Sequence, residues 1–310
     1  MKPIVILGIF VADTAYRADR MPKMGETILG RSFALGPGGK GSNQAVAAAM
    51  ARSAAGGRTH FITRLGKDDF ARIARTTWAK AGVEAEVIED ADSYTGAAFI
   101  FLEEATGNNA IIVSPGAAAR ITPGDLDASA GLIRSASVFV TQLEQPIPAA
   151  RRGLEIARAA GVTTILNPAP AAALDDAMLA LCDYVTPNES EAEALTGLPV
   201  TSVAEAAAAA DVLLARGVGA AVVTLGSNGA LYRDRNRSVH VPVISAGPVV
   251  ETTGAGDAFN GGFAVALSEG RDVVEAVRFG CATAGISVTR PGTAPAMPAR
   301  PEIEALLARG

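Results

Sequence analysis

Histidine and cysteine are scarce in this chain, with two of each among 310 residues. His60 and His240 are far apart and neither sits in a glycine-rich loop. A His-rich metal site is therefore excluded and a serine-histidine-aspartate triad is not expected, so proton chemistry falls to carboxylates. Cys182 and Cys281 permit neither a disulfide framework nor a zinc-ligand spacing, and read as two buried thiols in a reducing cytoplasm. Aromatic residues make up 5% of the chain, with a single tryptophan, Trp78, which gives no support for a large aromatic base pocket. Basic residues are not in excess: 27 Lys and Arg face 32 Asp and Glu, a net charge of −5. That argues against a nucleic-acid or membrane-surface partner, but not against a nucleotide held locally by backbone N–H groups. No apolar run of about 18 residues is free of charges and helix breakers, so no membrane span is expected. The apolar start, Pro3 to Ala12, is followed by Asp13, Arg17, Asp19 and Arg20 without a clear small-residue cleavage site. Ile4–Phe10 is read as a fully buried first strand rather than a secretion signal.

Alanine and glycine are plentiful; hydrophobic residues reach 49% and glycines number 33. The length allows one large domain or two small ones, and enough core to need no staples. From about residue 130 onward, strands and helices alternate. Strands are expected at Val138–Thr141, Thr163–Leu166, Tyr184–Thr186 and Ala220–Leu225. Helices are expected at Ala149–Ala160, Glu189–Leu195, Val203–Arg216, Ala255–Ser268 and Val273–Thr289, and a hairpin turns at Asp234–Arg237. This is the pattern of an α/β, doubly wound, mostly parallel sheet with helices on both faces. Residues 13–36 and 93–113 break it with strand-like material and no intervening helix. Ala97–Leu102 and Ala110–Val113 read as a hairpin, and the two excursions are expected to pair into a small separate sheet, a lid or a dimer surface.

Two glycine-rich segments carry the chemistry. Gly36-Pro37-Gly38-Gly39-Lys40-Gly41-Ser42-Asn43-Gln44-Ala45 runs into an apolar helix, Val46–Ala51. It contains a formal G-x-G-x-x-G, but the first strand is already complete at residues 4–10, and Lys40 and Asn43 crowd the loop, which disfavours a dinucleotide fold. Gly41 follows Lys40 where a Walker loop requires Ser or Thr. Glycines here let a polyhydroxy ligand approach the backbone while Lys40 and Asn43 bond its hydroxyls; a flexible turn is the plain alternative. The second segment, Glu251-Thr252-Thr253-Gly254-Ala255-Gly256-Asp257, opens a helix. The Gly254, Ala255 and Gly256 amides form an anion hole at its N-terminus, with Asp257 beside it as a general base. The alternative is a carboxylate complementing the helix dipole. Asn188 and Glu191, one helical turn apart, can organise magnesium and its waters, or simply start a helix. Thr224-Leu225-Gly226-Ser227-Asn228-Gly229 ends a buried strand, where α/β proteins bind ligands, unless it is a plain turn.

Segments 38–52 and 251–264, in this order and at this separation, resemble the two signatures of the ribokinase-type family of carbohydrate kinases, also called the phosphofructokinase-B family. The resemblance extends to Gln142-Leu143-Glu144, Leu166-Asn167-Pro168-Ala169-Pro170-Ala171, Thr186-Pro187-Asn188-Glu189 and Val288-Thr289-Arg290. It implies one kinase domain over residues 1–310, whose β lid also clasps a partner subunit as a homodimer. ATP, magnesium and an activating monovalent cation, potassium, are implied as cofactors. Asp257 matches the family's base. Asp13, Gly39, Lys40, Asn43 and Glu144 match sugar contacts. Asn188, Thr224–Gly229, Gly256 and Cys281 fall on the nucleotide side. Glu251, Thr253, Ser287, Arg290, Gly292 and Ala296 match the monovalent-ion positions. Three residues depart from the pattern. Val11 stands where an asparagine usually touches the sugar, which bears on ribose as substrate. Glu251 replaces Asp and Ala296 replaces Ser, which bear on potassium activation. A pentose 5-kinase is the leading expectation, with a 2-deoxyribose or other small-sugar kinase next. A non-catalytic sensor on the same fold is disfavoured because it has no need of Asp257.

Overall fold

The computed structural model describes residues 1–106 and 108–309. Gly107, in the expected turn at residues 103–109, lies outside the described residues. Strand β1 (Ile4–Leu7) is buried at all four positions. Ile4 and Ile6 enter one core while Val5 and Leu7 enter another, as a central parallel strand covered on both faces requires. Strands β2 (Val11–Ala18) and β3 (Ser32–Gly38) follow, then helix α1 (Lys40–Ala51), strand β4 (Thr59–Leu65), helix α2 (Asp69–Ala81) and strand β5 (Val83–Glu89). Next come strands β6 (Thr95–Glu103) and β7 (Asn109–Gly116) and short helices α3 (Pro123–Ala128) and α4 (Ala130–Ser135). Alternation then sets in: β8 (Val138–Thr141), α5 (Ile147–Ala159), β9 (Thr163–Leu166), α6 (Asp176–Leu179), β10 (Tyr184–Val185), α7 (Glu189–Thr196), α8 (Val203–Ala215) and β11 (Ala220–Thr224). Strands β12 (Ala230–Arg233) and β13 (Ser238–Val241) precede α9 (Ala255–Ser268), α10 (Val273–Ser287) and α11 (Arg300–Leu307).

The main sheet has nine strands in the order β13-β12-β11-β10-β9-β8-β1-β4-β5, parallel throughout except where β12 pairs antiparallel with both β11 and β13. From β1 the chain works outward to β4 and β5, then returns to β8 on the other side of β1. That reversal is a topological switch point, where a crevice opens beyond the carboxyl ends of the strands. The excursions pair as expected into a four-stranded sheet, β3-β2-β6-β7, with β2 and β6 parallel and the outer pairs antiparallel. No described helix is long and apolar enough to cross a membrane.

Most expected elements shift at their ends by a residue or a few, and two such differences matter for the site. The first strand ends at Leu7, not Phe10, because the chain turns out of the sheet: the Ile9 carbonyl accepts the N–H of Ser42 in α1, and β2 begins at Val11. Helix α1 begins at Lys40, not Val46, so Lys40 and Asn43 stand on a helical first turn rather than in a loop. The abundance of small residues also finds its reason here. A Cβ on Gly261 of α9 would lie 2.5 Å from the Ala47 Cβ of α1, so the two helices touch nearly backbone to backbone.

Candidate active site

Helices α1 and α9 both begin at a glycine with positive φ, 90° at Gly39 and 80° at Gly254, a conformation other residues reach only with strain. Neither glycine offers a capping side chain. In α1, the Lys40 N–H donates instead to Glu144 Oε2, at 2.7 Å, from a residue 104 positions away. In α9, the Ala255 N–H donates to the Thr252 carbonyl at 3.1 Å, whereas those of Gly256 and Asp257 have no partner among the described residues. Of the three amides expected to form the anion hole, Ala255 is already engaged, whereas Gly254 and Gly256 stay open, and Asp257 joins them as a further open donor among the described residues.

The Asp257 carboxylate is buried between the two helices. Its Oδ2 accepts from Asn43 Nδ2 and its Oδ1 from Gln44 Nε2, each at 3.0 Å. Burial raises its pKa, while Lys40 and these two amide donors pull the other way. Burial alone would lower the Lys40 pKa, but the charges of Asp257, Glu144 and Glu191 hold it above its ordinary value. Glu144 is pushed up to about 7, chiefly by burial, and Asp13 to about 6 by burial and the charges of Asp257 and Glu251.

Asp13 and Val11 lie on the same face of β2, with Val11 opposite Gly38 in β3. The Asp13 carboxylate occupies the space that a side chain at Gly38 would fill. Val11 is buried against the core and offers methyl groups only. Asn43 Oδ1 is a buried acceptor with no partner among the described residues.

Around the α9 start, a cavity of about 140 Å³ gathers Lys40, Asn188, Glu191, Thr224, Gly254, Gly256 and Asp257. Asn188 caps α7: its Oδ1 accepts the Glu191 N–H and Glu191 Oε2 accepts the Asn188 N–H, both at 2.9 Å. This reciprocal box is the ordinary helix start weighed above, and it leaves one Glu191 oxygen outside it. Residues Gly226–Asn228 form a single 3₁₀ turn beyond β11, with Leu225 directed into the core. Cys281 packs into the core from α10, where burial pushes its thiol up to about 12, and it does not line this cavity. At the positions expected for a monovalent ion, Glu251 Oε2 accepts the Gly292 N–H at 2.8 Å, and the Glu251 N–H donates to the Val288 carbonyl at 3.2 Å. The Ser287 hydroxyl donates to Ala284, Arg290 pairs with Glu302, Ala296 is buried and Thr253 is exposed. Two wider depressions lie elsewhere. One, of about 550 Å³, sits at the opposite, amino end of β9, β10 and β11; the other, of about 750 Å³, runs along α2. Neither gathers an uncapped helix start and a buried carboxylate, so the small cavity is the chemically organised one.

Sequence reasoning assigned no role to Gln44, Asn167, Thr186 or Asn260. Gln44 Nε2 donates to Asn167 Oδ1 at 3.1 Å as well as to Asp257. The Thr186 hydroxyl donates to Asn260 Oδ1 at 2.7 Å, and Asn260 Nδ2 to the Gly256 carbonyl at 2.9 Å. Asn167 and Thr186 each stand just past the end of a parallel strand, which was the available signal.

The first two glycines of the formal G-x-G-x-x-G lie in β3 of the small sheet and the third in α1, rather than after a strand of a βαβ unit, which removes the dinucleotide reading. Comparison with known proteins agrees with the fold. Ribokinase of Haemophilus influenzae is 36% identical over 302 residues, covering 97% of each chain. Deoxyribokinase of Salmonella typhimurium is also 36% identical, over 95% of each. The structure of Arabidopsis thaliana ribokinase complexed with ribose and ATP superimposes with a TM-score of 0.91 at 31% identity, over 99% of this chain and 98% of that one. Residues 1–300 match the profile described as pfkB family carbohydrate kinase. With the family profile matching residues 1–300 and relatives 36% identical over nearly the whole chain, the chain belongs to the pfkB family of carbohydrate kinases.

Proposed function

We propose that this chain transfers the terminal phosphoryl group of ATP to the 5-hydroxymethyl group of ribose, with Asp257 as general base. The observation that carries the reading is the buried Asp257 carboxylate beside the two free N–H groups at the start of α9. Such donors suit the charge that builds on a transferring phosphate, and a carboxylate beside them suits removal of the acceptor's proton. Raised basicity from burial helps that removal, while Lys40 and the two amides keep the carboxylate available in its ionised form. Asp13, Gly39, Lys40, Asn43 and Glu144 would bind the sugar. The unpartnered Asn43 Oδ1 supports this, since a buried acceptor calls for a donor such as a sugar hydroxyl. Asn188 and the 224–229 turn would bind the nucleotide.

Among the described residues, no three His, Cys, Asp or Glu side chains converge to cage a metal. Magnesium would be held mainly by ATP phosphates and water, with Glu191, which lines the cavity, as a carboxylate that would order that water. Magnesium would neutralise phosphate charge when bound. One carboxylate, Glu251, among the backbone groups of residues 287–296 suits a monovalent cation such as potassium, for which Thr253, Ser287, Arg290, Gly292 and Ala296 are the other candidate positions.

Val11 favours 2-deoxyribose as a second substrate, because its methyl groups offer no hydrogen bond on the sugar side of β2. A missing partner of this kind is worth about ten- to a hundred-fold in selectivity. A panel of sugars with ATP, read as ADP formed with and without potassium, tests the whole reading. Ribose should be turned over, and Val11→Asn should raise the ratio of kcat/KM for ribose over 2-deoxyribose. No turnover of any pentose would remove the proposal, and an unchanged ratio would remove Val11 from the sugar pocket. We also place the enzyme in the cytoplasm, where ATP is supplied, as one kinase unit with the small sheet as its lid. The exposed Tyr16, Phe33, Leu35 and Ile112 on that sheet support a homodimer, which sedimentation of a Phe33→Asp variant would test.

A further inference from the structure

Gln44 is fully buried on α1 beside Ala45, Ala47 and Ala48, an unfavourable place for a primary amide unless every polar atom is paired. All of them are. The two hydrogens of Nε2 go to Asp257 Oδ1 at 3.0 Å and Asn167 Oδ1 at 3.1 Å, and Oε1 accepts from Gln142 Nε2 at 2.6 Å. An ionised Asp257 can only accept, so it dictates which end of the Gln44 amide faces it. Asn167, which follows β9, is anchored in turn, its Nδ2 donating to the Thr186 carbonyl at 3.0 Å, while Gln142 follows β8 and keeps a buried Oε1 without a partner among the described residues. Asn43, the preceding residue of α1, holds the other Asp257 oxygen.

We propose that Gln44 is a positioning residue that ties the Asp257 carboxylate to the ends of the central strands and holds it ionised in one orientation toward the acceptor hydroxyl. This deepens the reading of Asp257 as the base and rests on it. The charged groups facing Asp257 are Lys40 from α1, Asp13 from β2, Glu144 after β8 and Glu191 from α7, with Glu251 ahead of α9 acting through Asp13. Changing Gln44 alters none of these charges, so its contribution can be isolated.

The test is Gln44→Met, which keeps length and flexibility and removes the donors. The kcat at pH 7 should fall about ten- to a hundred-fold, the worth of a lost hydrogen bond to a charged group. The acid limb of the kcat–pH profile should move upward, so that the loss shrinks as pH rises. KM for ATP should stay within about three-fold, because Gln44 lies on the acceptor side. Gln44→Glu, of the same shape but acidic, should move the limb further up by like-charge repulsion, and decides the matter if the Met variant does not fold. A folded variant with wild-type kcat and an unmoved limb, or with an equal loss at every pH, overturns the inference. Asp257→Asn is measured alongside. If it is inactive while Gln44 variants are normal, only the positioning role fails; if it is itself nearly wild type, the base assignment fails first.

Discussion

Helices α7 and α9 begin at the same cavity and are built in opposite ways. At α7, Asn188 and Glu191 satisfy each other's N–H groups in a reciprocal box. At α9, a glycine supplies the turn, no side chain caps it, and the N–H groups of Gly256 and Asp257 stay open. Both helix ends carry a positive field, but only the second leaves it unclaimed by the protein. A helix start becomes an anion site when its own sequence declines to cap it. The first satisfies its own N–H groups, and the second leaves two of them open.

The largest test of this contrast is Asp257→Asn, which should leave ATP and sugar binding nearly intact and lower kcat by about 10²–10⁴-fold, measured in steady state. Gly256→Val comes next. Gly256 has ordinary helical backbone and nothing lies within 4 Å of a Cβ added there, so the turn itself should tolerate the change. The valine would instead project beside the open N–H groups, and kcat should fall about 10²–10³-fold, as for a lost oxyanion donor. A melting curve like that of the wild type, together with this loss, would separate occupancy of the hole from folding. Full activity would mean that the phosphate does not sit there. At α7 the balance should reverse. Asn188→Ala should cost about 1 kcal/mol in urea unfolding, the usual worth of an N-cap, and raise KM for ATP, while kcat changes only a few-fold.

The smallest effect lies on the acidic side of the cavity. Burial holds Glu144 up to about 7, against an ordinary 4.5, so the folded protein binds this proton more tightly than the unfolded chain. Its contribution to stability is present below about pH 4.5 and is lost as pH rises through about 7. A sugar hydroxyl donating to this carboxylate favours the ionised form, so sugar binding near pH 6.5 should release a fraction of a proton. Calorimetry in buffers of different ionisation enthalpy would read it, and Glu144→Gln should abolish it.

Much of this contrast was legible in the sequence, for a physical reason. The glycines of 254–256 punctuate a helix, and α9 was expected at its observed bounds, as were β8 and β9, whose short apolar runs have sharp ends. Glycine also misled. The run 36–41 reads as a loop, yet Lys40 already belongs to α1, because a distant carboxylate, Glu144, caps its first N–H. Nothing in the local sequence can announce a cap 104 residues away. The first strand was read three residues too long, since Gly8–Phe10 is as buried as the strand before it, while pairing with β4 ends at the Gly8 N–H and the Ile9 carbonyl turns to Ser42 of α1. Gln44 went unseen because its role depends on Asp257, Asn167 and Gln142 meeting at one amide, a product of the strand order rather than of any motif.

The near contact of Gly261 with Ala47 bears on any attempt to make this enzyme more heat-resistant. Enlarging small core residues is a common route to a higher melting temperature. Here it would wedge α1 away from α9, and the two 3.0 Å bonds that reach Asp257 from Asn43 and Gln44 span that same seam. A shift of a few tenths of an ångström that a core elsewhere would absorb would be read at the reacting carboxylate. Gains in hardiness are better sought in the four-stranded sheet and the outer helices, leaving the alanine and glycine seam as a fixed spacer.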